Sequence, residues 1–161
     1  MNRLYKELKI KSSLKSLVEV EKFVEEICEI YSINNSYYGN ILLAIEEASK
    51  NAILHGNSSD IRKNVLITFQ NSPGGLCFTI EDEGSGFDYN NVPSPLDADE
   101  KEKDKAGKGL FLIRNLADKV LFNPKGNNVE ITFYISSINH EKTLNRINQL
   151  HQYFHKQKSL A

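Results

Sequence analysis

Hydrophobic positions recur with a helical period in the first third of the chain. After an alternating stretch at residues 4–10, which predicts a first strand, two segments carry apolar side chains at three- and four-residue steps. The first stripe consists of Leu17, Val20, Val24, Ile27 and Tyr31. Ser16 and Glu19 have the spacing of a capping box at the start of this helix. The second helix is predicted from Tyr37 to His55, and its stripe includes Ile41, Ile45, Ala48 and Ala52.

The period then changes to two, which is typical of strands. Residues 65–69 and 76–80 alternate around the turn at 71–75 and predict a β-hairpin. After a third helical segment that begins near Leu110, residues 120–122 and 129–135 predict a second hairpin. The last segment carries Leu144, Ile147, Leu150 and Phe154 at helical spacing. Because the strands cluster in hairpins, the pattern favours an α+β fold with helices on a mostly antiparallel sheet.

Residues 90–106 interrupt these patterns. They are polar, contain two prolines and mix acidic with basic side chains. A structureless segment of this length inside a compact domain is usually either disordered or a functional lid. We therefore treat residues 90–106 as a candidate lid.

Composition narrows the class of protein. A length of 161 residues fits one domain, and 20 Lys and Arg against 21 Asp and Glu leave no basic excess for nucleic-acid binding. Cys28 and Cys77 lie in apolar stretches, which indicates reduced core residues rather than a disulfide or zinc site. The N-terminus shows no signal peptide, and no apolar run approaches the ~18 residues of a membrane span. We expect a soluble, cytoplasmic protein without membrane or direct nucleic-acid partners.

The first candidate for chemistry is the segment 46–56 on the second helix. Glu47 and Asn51 are one turn apart and project from the same face, beside the small residues Ala48 and Ala52. An amide oxygen can ligate Mg²⁺ without adding charge, and a neighbouring carboxylate can orient a water or accept a hydroxyl proton. The alternative is an exposed helix face of charged residues.

Two glycine-rich segments form the other candidates. In the segment 82–88, Asp82 ends a predicted strand and can accept a hydrogen bond from an exocyclic amine, while Gly84 and Gly86 let backbone approach a planar ligand. The segment 107–109, Gly-Lys-Gly, directly precedes a predicted helix, where free N–H groups and the helix dipole favour an anion. A plain turn and a flexible helix entry are the respective alternatives.

In this order and combination, the three segments resemble the N box, G1 box and G2 box of the GHKL ATPase superfamily. The similarity is greatest to its branch of anti-sigma regulatory factor serine/threonine protein kinases and covers residues 4–135. Leu54 stands where histidine kinases more often have Lys, and Phe111 where they usually repeat Gly. The resemblance implies a two-layer α/β sandwich, the Bergerat-type ATP-binding fold, with helices on one face of a mixed, mostly antiparallel sheet.

The resemblance also assigns roles to individual residues. It implies Glu47 as the catalytic base, Asn51 as the Mg²⁺ ligand, and Asp82 as the partner of the adenine amine. Gly84 and Gly86 would shape the adenine pocket. The resemblance also implies that the triphosphate of ATP contacts Gly107, Lys108, Gly109 and Leu110.

The implied function is that of a kinase and anti-sigma factor in a partner-switching system. Such a protein transfers the γ-phosphoryl group of ATP to a serine of an anti-sigma factor antagonist, sequesters a sigma factor, and forms a homodimer. The alternative is a nucleotide-sensing module that regulates a protein partner without phosphotransfer. A third possibility, the ATP-binding half of a split histidine kinase, is disfavoured by Leu54 and Phe111.

Residues 138–161 extend beyond the implied ATPase domain, residues 1–137. Their apolar stripe predicts a helix that packs on the domain or across a dimer, or that binds a partner. His151 and His155 are four residues apart, but without a neighbouring Glu or Cys a zinc site is disfavoured.

Overall fold

The computed structural model describes residues 3–90 and 106–159. The strands are β1 (Tyr5–Lys11), β2 (Asn64–Ser72), β3 (Gly75–Glu81), β4 (Lys119–Phe122) and β5 (Asn128–Tyr134). The helices are α1 (Leu17–Ile30), α2 (Asn35–Asn51), α3 (Ala106–Leu116) and α4 (Ile135–Ser159). A short 3₁₀ turn (Leu14–Ser16) precedes α1, and a π-helical turn (Ala52–Gly56) continues α2. The predicted lid falls mostly on residues 91–105, which lie outside the described part of the chain.

The five strands form one sheet in the order β1-β2-β3-β5-β4. Every described pairing is antiparallel, so the α+β prediction is confirmed and the sheet is not mixed. Alternate side chains of β2, β3 and β5 point into one apolar core with the inner faces of α1 and α2. Phe78 is central to this core, because its ring lies 5.0 Å from that of Phe69 and 6.2 Å from that of Phe133.

The predicted stripes of α1 and α2 face this core. Val20, Val24 and Ile27 are buried, and Leu17 and Tyr31 pack partly buried against them. Ile41, Ile45 and Ala48 of α2 are buried, and so is Ala52 in the π-helical turn that continues it. Both cysteines are buried free thiols, and burial raises the pKa of Cys28 to about 12, which makes it an unreactive core residue.

The predicted capping box at Ser16 is wrong. Ser16 has helical backbone angles and its side chain makes no capping hydrogen bond, so it cannot act as the extended residue that a capping box needs. Ser13 takes that conformation instead, and its hydroxyl accepts a hydrogen bond from the Lys15 N–H at the start of the 3₁₀ turn. The chain therefore begins to coil before α1.

The C-terminal helix follows β5 without a loop. Ile138 in its first turns is buried in the core, which anchors α4 to the sheet. The predicted stripe farther along the helix remains 45–59% exposed at Leu144, Ile147, Leu150 and Phe154. In the described part of the chain, the stripe is therefore not buried on the domain itself.

No helix in the described ranges has both the length and the apolar character needed to span a membrane.

Candidate functional site

The site begins with the polar face of α2. Glu47 and Asn51 are both half-buried, and Asn51 is the last residue of the regular helix. The side chain of Glu47 is 17% exposed, and its Oε1 accepts a hydrogen bond from Lys50 Nζ at 3.2 Å. The face is therefore partly covered and holds a positioned carboxylate, unlike a solvated stripe of charged residues.

The first turn of α3 covers this face of α2. A Cβ atom on Gly109 would lie 3.1 Å from Glu47 Oε2 and 3.1 Å from Asn51 Nδ2, closer than most real contacts. Gly109 is buried, and a side chain there would displace the two polar groups. The segments 46–56 and 107–109 thus meet at a glycine backbone.

The sequence placed the start of α3 too late. The helix begins at Ala106, so that Gly107, Lys108 and Gly109 form its first turn and Leu110 lies inside it. Glycine disfavours helix in isolation, but packing of this turn against α2 overrides the local preference. The first N–H groups of a helix lack partners within it, and the anion site expected at this turn stays a prediction. Leu110 is 3% exposed, whereas Lys108 is exposed.

Asp82 directly follows β3 and is buried. Its Oδ1 accepts a hydrogen bond from the Gly84 N–H at 2.8 Å. Burial raises the pKa of the Asp82 carboxyl above its usual value, and the hydrogen bond from Gly84 opposes that shift. A carboxylate with one oxygen bonded to backbone can still accept a hydrogen bond from a ligand amine.

Glycines let the segment 82–88 lie directly on the end of α2. A Cβ atom on Gly56 would lie 2.3 Å from Asp82 Cγ, and one on Gly84 would lie 2.1 Å from the Gly56 carbonyl oxygen. Neither position has room for a side chain. The Asp82 carboxylate therefore lies over the backbone of the π-helical turn.

The turn between β4 and β5 closes the other side of this segment. Gly86 has φ +87°, and a Cβ atom there would lie 1.7 Å from the Lys125 carbonyl oxygen. Asn127 binds the backbone of Asp82 twice: its carbonyl accepts from the Asp82 N–H at 3.0 Å, and its Nδ2 donates to the Asp82 carbonyl at 3.2 Å. Asp82 is thus fixed between two parts of the chain.

These elements enclose a cavity of about 230 Å³. Asn51 and Asp82 are on its wall. The other predicted site residues are not among the described residues that line it: Glu47, Gly84, Gly86, Gly107, Lys108, Gly109 and Leu110. The other residues that line it are mostly apolar: Ala48, Ala52, His55, Gly56, Ile80, Phe87, Ile113, Phe122, Gly126, Asn127, Asn128 and Val129. A mostly apolar cleft with a few convergent polar groups is the usual form of a small-molecule site, and a flat heteroaromatic ring suits this one.

Sequence reasoning assigned no site role to the β4–β5 turn. Asn123 organises this turn, because its Oδ1 accepts hydrogen bonds from the N–H groups of Gly126, Asn127 and Asn128. The run of asparagines around Pro124 was a signal for an ordered turn. The hydrogen bond from Asn127 in this turn to Asp82 joins residues 45 positions apart, and it forms only when the sheet brings them together.

The oxygen donors of this site suit a hard cation. Asn51 and Glu47 offer amide and carboxylate oxygens, which Mg²⁺ prefers. Among the described residues, no group of three or more His, Cys, Asp or Glu side chains could hold a metal ion by itself. Mg²⁺ usually keeps several waters and is shared with substrate phosphates, so the oxygens of Asn51 and Glu47 would serve it only together with such ligands.

Comparisons with known proteins bear on the family and the fold of this chain. The family model described as a histidine kinase-like ATPase domain matches residues 10–133. The anti-sigma F factors of Bacillus thuringiensis (strain Al Hakam) and Bacillus mycoides (strain KBAB4) are each 27% identical over 127 residues, covering 76% of this chain and 80% of the relative. The structure of the RsbU and RsbW domains of Rv1364c from Mycobacterium tuberculosis superposes with a TM-score of 0.54 at 16% identity. The match covers 80% of this chain and 32% of that one.

Proposed function

The chain belongs to the family of histidine kinase-like ATPase domains, and we propose that it is an ATP-dependent protein-serine kinase and anti-sigma factor. The observation that carries the proposal is that two of the three segments line one cavity and the third packs against the helix face beside it. Asn51 and Asp82 line it, and Gly109 brings the start of α3 onto Glu47 and Asn51. A nucleotide whose base lies in the cavity can extend its phosphates toward that helix start.

Each residue has a role in this proposal. Asp82 accepts a hydrogen bond from the adenine amine, and the backbone of Gly84 and Gly86 lets the purine approach. The N–H groups of the first turn of α3 face the phosphates, with Lys108 as an additional cation and Leu110 securing the turn from inside the fold. Asn51 would hold Mg²⁺, and the ion would neutralise negative charge on the phosphates.

Glu47 serves as the base in the proposed transfer. The serine hydroxyl oxygen forms a bond to the γ-phosphorus as the bond from that phosphorus to the β–γ bridging oxygen breaks. Glu47 accepts the hydroxyl proton, and the products are phosphoserine and ADP. Positioning and electrostatic stabilisation provide most of the rate enhancement in such transfers.

The names of the relatives support one of the partners that we propose. Two relatives carry the name anti-sigma F factor, which supports a sigma factor as one partner of this chain. We propose an anti-sigma factor antagonist as the phosphorylation substrate, and the cytoplasm as the place where these proteins meet. The net charge of −1 fits regulation through protein partners rather than through direct contact with DNA.

A transfer assay tests the proposal. The full chain is incubated with ATP, Mg²⁺ and small candidate antagonist proteins, and phosphoserine is identified by mass spectrometry. We expect a stoichiometric phosphoserine on one antagonist, with product formation abolished when EDTA removes Mg²⁺. If ATP binds and no antagonist from the same genome is phosphorylated, the kinase assignment is contradicted.

One contact favours a second candidate function. Lys50 pairs with Glu47 in this structure, so one oxygen of the proposed base is already engaged. A nucleotide-sensing module that regulates its partner without phosphotransfer needs no free base. That function predicts ATP-dependent partner binding without a phosphorylated product, which the same assay distinguishes.

We also infer that the chain forms a homodimer. The family resemblance suggests it, and the half-exposed stripe of α4 offers apolar surface for association. Sedimentation equilibrium should give twice the chain mass of 18.3 kDa. Replacing Leu150 and Phe154 together by glutamate should shift the chain toward the monomer. A wild type that is still monomeric at a chain concentration of about 50 μM would refute the dimer.

A further inference from the structure

Asn57 is a buried amide that has no part in the chemistry proposed above. It follows the π-helical turn and is 1% exposed. Its Nδ2 donates hydrogen bonds to Ser12 Oγ at 2.8 Å and to the Asn64 carbonyl at 3.0 Å. Its Oδ1 accepts a hydrogen bond from the Glu83 N–H at 2.8 Å. Both amide hydrogens and the amide oxygen are thus used.

These three bonds join separate parts of the fold. Ser12 directly follows β1, Asn64 is the first residue of β2, and Glu83 is the residue after Asp82. The amide therefore ties the segment 82–88 to the edge of the sheet. Loss of a buried hydrogen-bond partner leaves the other group unsatisfied, which costs more than the bond itself contributes.

Asp82 lies between this anchor and a second one. On its other side, the Asp82 N–H donates to the Asn127 carbonyl and the Asp82 carbonyl accepts from Asn127 Nδ2. The carboxylate of Asp82 can rotate only slightly, because the backbone of Gly56 lies directly beneath it. A shift of the Glu83 peptide would turn the carboxylate away from its present place over the cavity.

We propose that Asn57 is a positioning residue for nucleobase recognition, acting through the Glu83 peptide on the direction of the Asp82 carboxylate. The proposal rests on the proposed function, because it takes Asp82 as the group that accepts the adenine amine. It adds that the selectivity for this amine depends on a side chain that does not touch the nucleotide.

Nucleotide selectivity separates this role from a merely structural one. Purine riboside triphosphate carries hydrogen in place of the amine and is otherwise the same ligand as ATP. Hydrogen bonds to charged groups distinguish such analogues by about tenfold or more, so the wild type should bind ATP at least about tenfold more tightly. A variant with a misdirected Asp82 should bind the two nucleotides nearly equally.

The test measures both dissociation constants by isothermal titration calorimetry with Mg²⁺ present. For Asn57→Ala, we expect the ratio of the two constants to fall to within about threefold, as expected when one hydrogen bond to a charged group is lost. Ser12→Ala is the matched control, because it removes an acceptor of the same amide and leaves the bond to Glu83 intact. It should lower the melting temperature and keep the wild-type ratio.

The outcomes are distinct. An unchanged ratio in Asn57→Ala, together with a lower melting temperature, would show a structural role and overturn the inference. If Asn57→Ala does not fold, Asn57→Ser decides, since its shorter side chain leaves the Glu83 N–H without its partner: a lost ratio supports the inference and a retained ratio contradicts it. A wild type that binds no ATP would instead refute the proposed function, and the inference with it.

Discussion

Replacing Glu47 by glutamine should slow phosphoryl transfer by about 10²–10⁴-fold while leaving ATP affinity within about twofold, the range that loss of a general base produces. Glutamine has the same shape and can still lie against Gly109, but it cannot accept a proton from the attacking serine. The measurement is single-turnover formation of phosphoserine at saturating ATP. A slow chemical step with intact binding locates the defect in the transfer itself.

Glu46→Gln is the matched control for this experiment. Glu46 is the adjacent residue of α2 and is half-buried, and burial raises the pKa of its carboxyl. The substitution Glu46→Gln removes a carboxylate from the same turn of the helix and leaves the proposed base in place, so the transfer rate should stay near that of the wild type. Equal rates for Glu47→Gln and the wild type would contradict the assignment of the base.

Asp82→Asn should weaken ATP binding by about 10–150-fold, the value of a hydrogen bond to a charged group. The amide presents a donor where the adenine amine needs an acceptor, so repulsion adds to the lost bond. Isothermal titration calorimetry measures the change. Glu81→Gln serves as the control, because Glu81 is exposed at the end of β3 and its carboxylate accepts a hydrogen bond from Asn128 Nδ2.

Asp82→Asn should also be at least as stable as the wild type at neutral pH. Burial raises the pKa of Asp82 in the folded protein, so the folded state binds this proton more tightly than the unfolded chain does. The ionised carboxylate is therefore a cost above the folded-state pKa, and the cost disappears as the pH falls through that pKa. Thermal melts should show the advantage of Asp82→Asn at pH 7 and its loss below about pH 4, near the ordinary pKa of Asp. A variant clearly less stable than the wild type at pH 7 would contradict the burial argument.

The sequence predicted the strands better than the helix ends. Residues 65–69 and 76–80 alternate so regularly that both strands and their turn follow from local pattern. The start of α3 could not be predicted in that way, because its two glycines are helical only through contact with α2. The same limit applies to Ser16, whose sequence spacing suits a cap that the preceding 3₁₀ turn excludes.

The residues of the candidate site also differ in how far local sequence could predict them. Asn51 and Asp82 carry functional groups in recognisable local motifs, so their meeting at one cavity could be expected from the order of the motifs. Asn57 and Asn127 are ordinary turn residues by sequence. Their bonds to the segment 82–88 span 26 and 45 positions and exist only once β1, β2 and β5 have taken their places in the sheet.

The contact of Gly84 with Gly56 bears on how this protein can evolve. A side chain on Gly84 would need the space of the Gly56 carbonyl group, and one on Gly56 would need the space of the Asp82 carboxylate, so neither position can gain a side chain while this packing persists. A descendant that gains even a methyl group at one of them must first separate the end of the π-helical turn from the segment 82–88. A change in nucleobase preference is therefore expected through residues whose side chains line the cavity, such as Phe87 and Phe122.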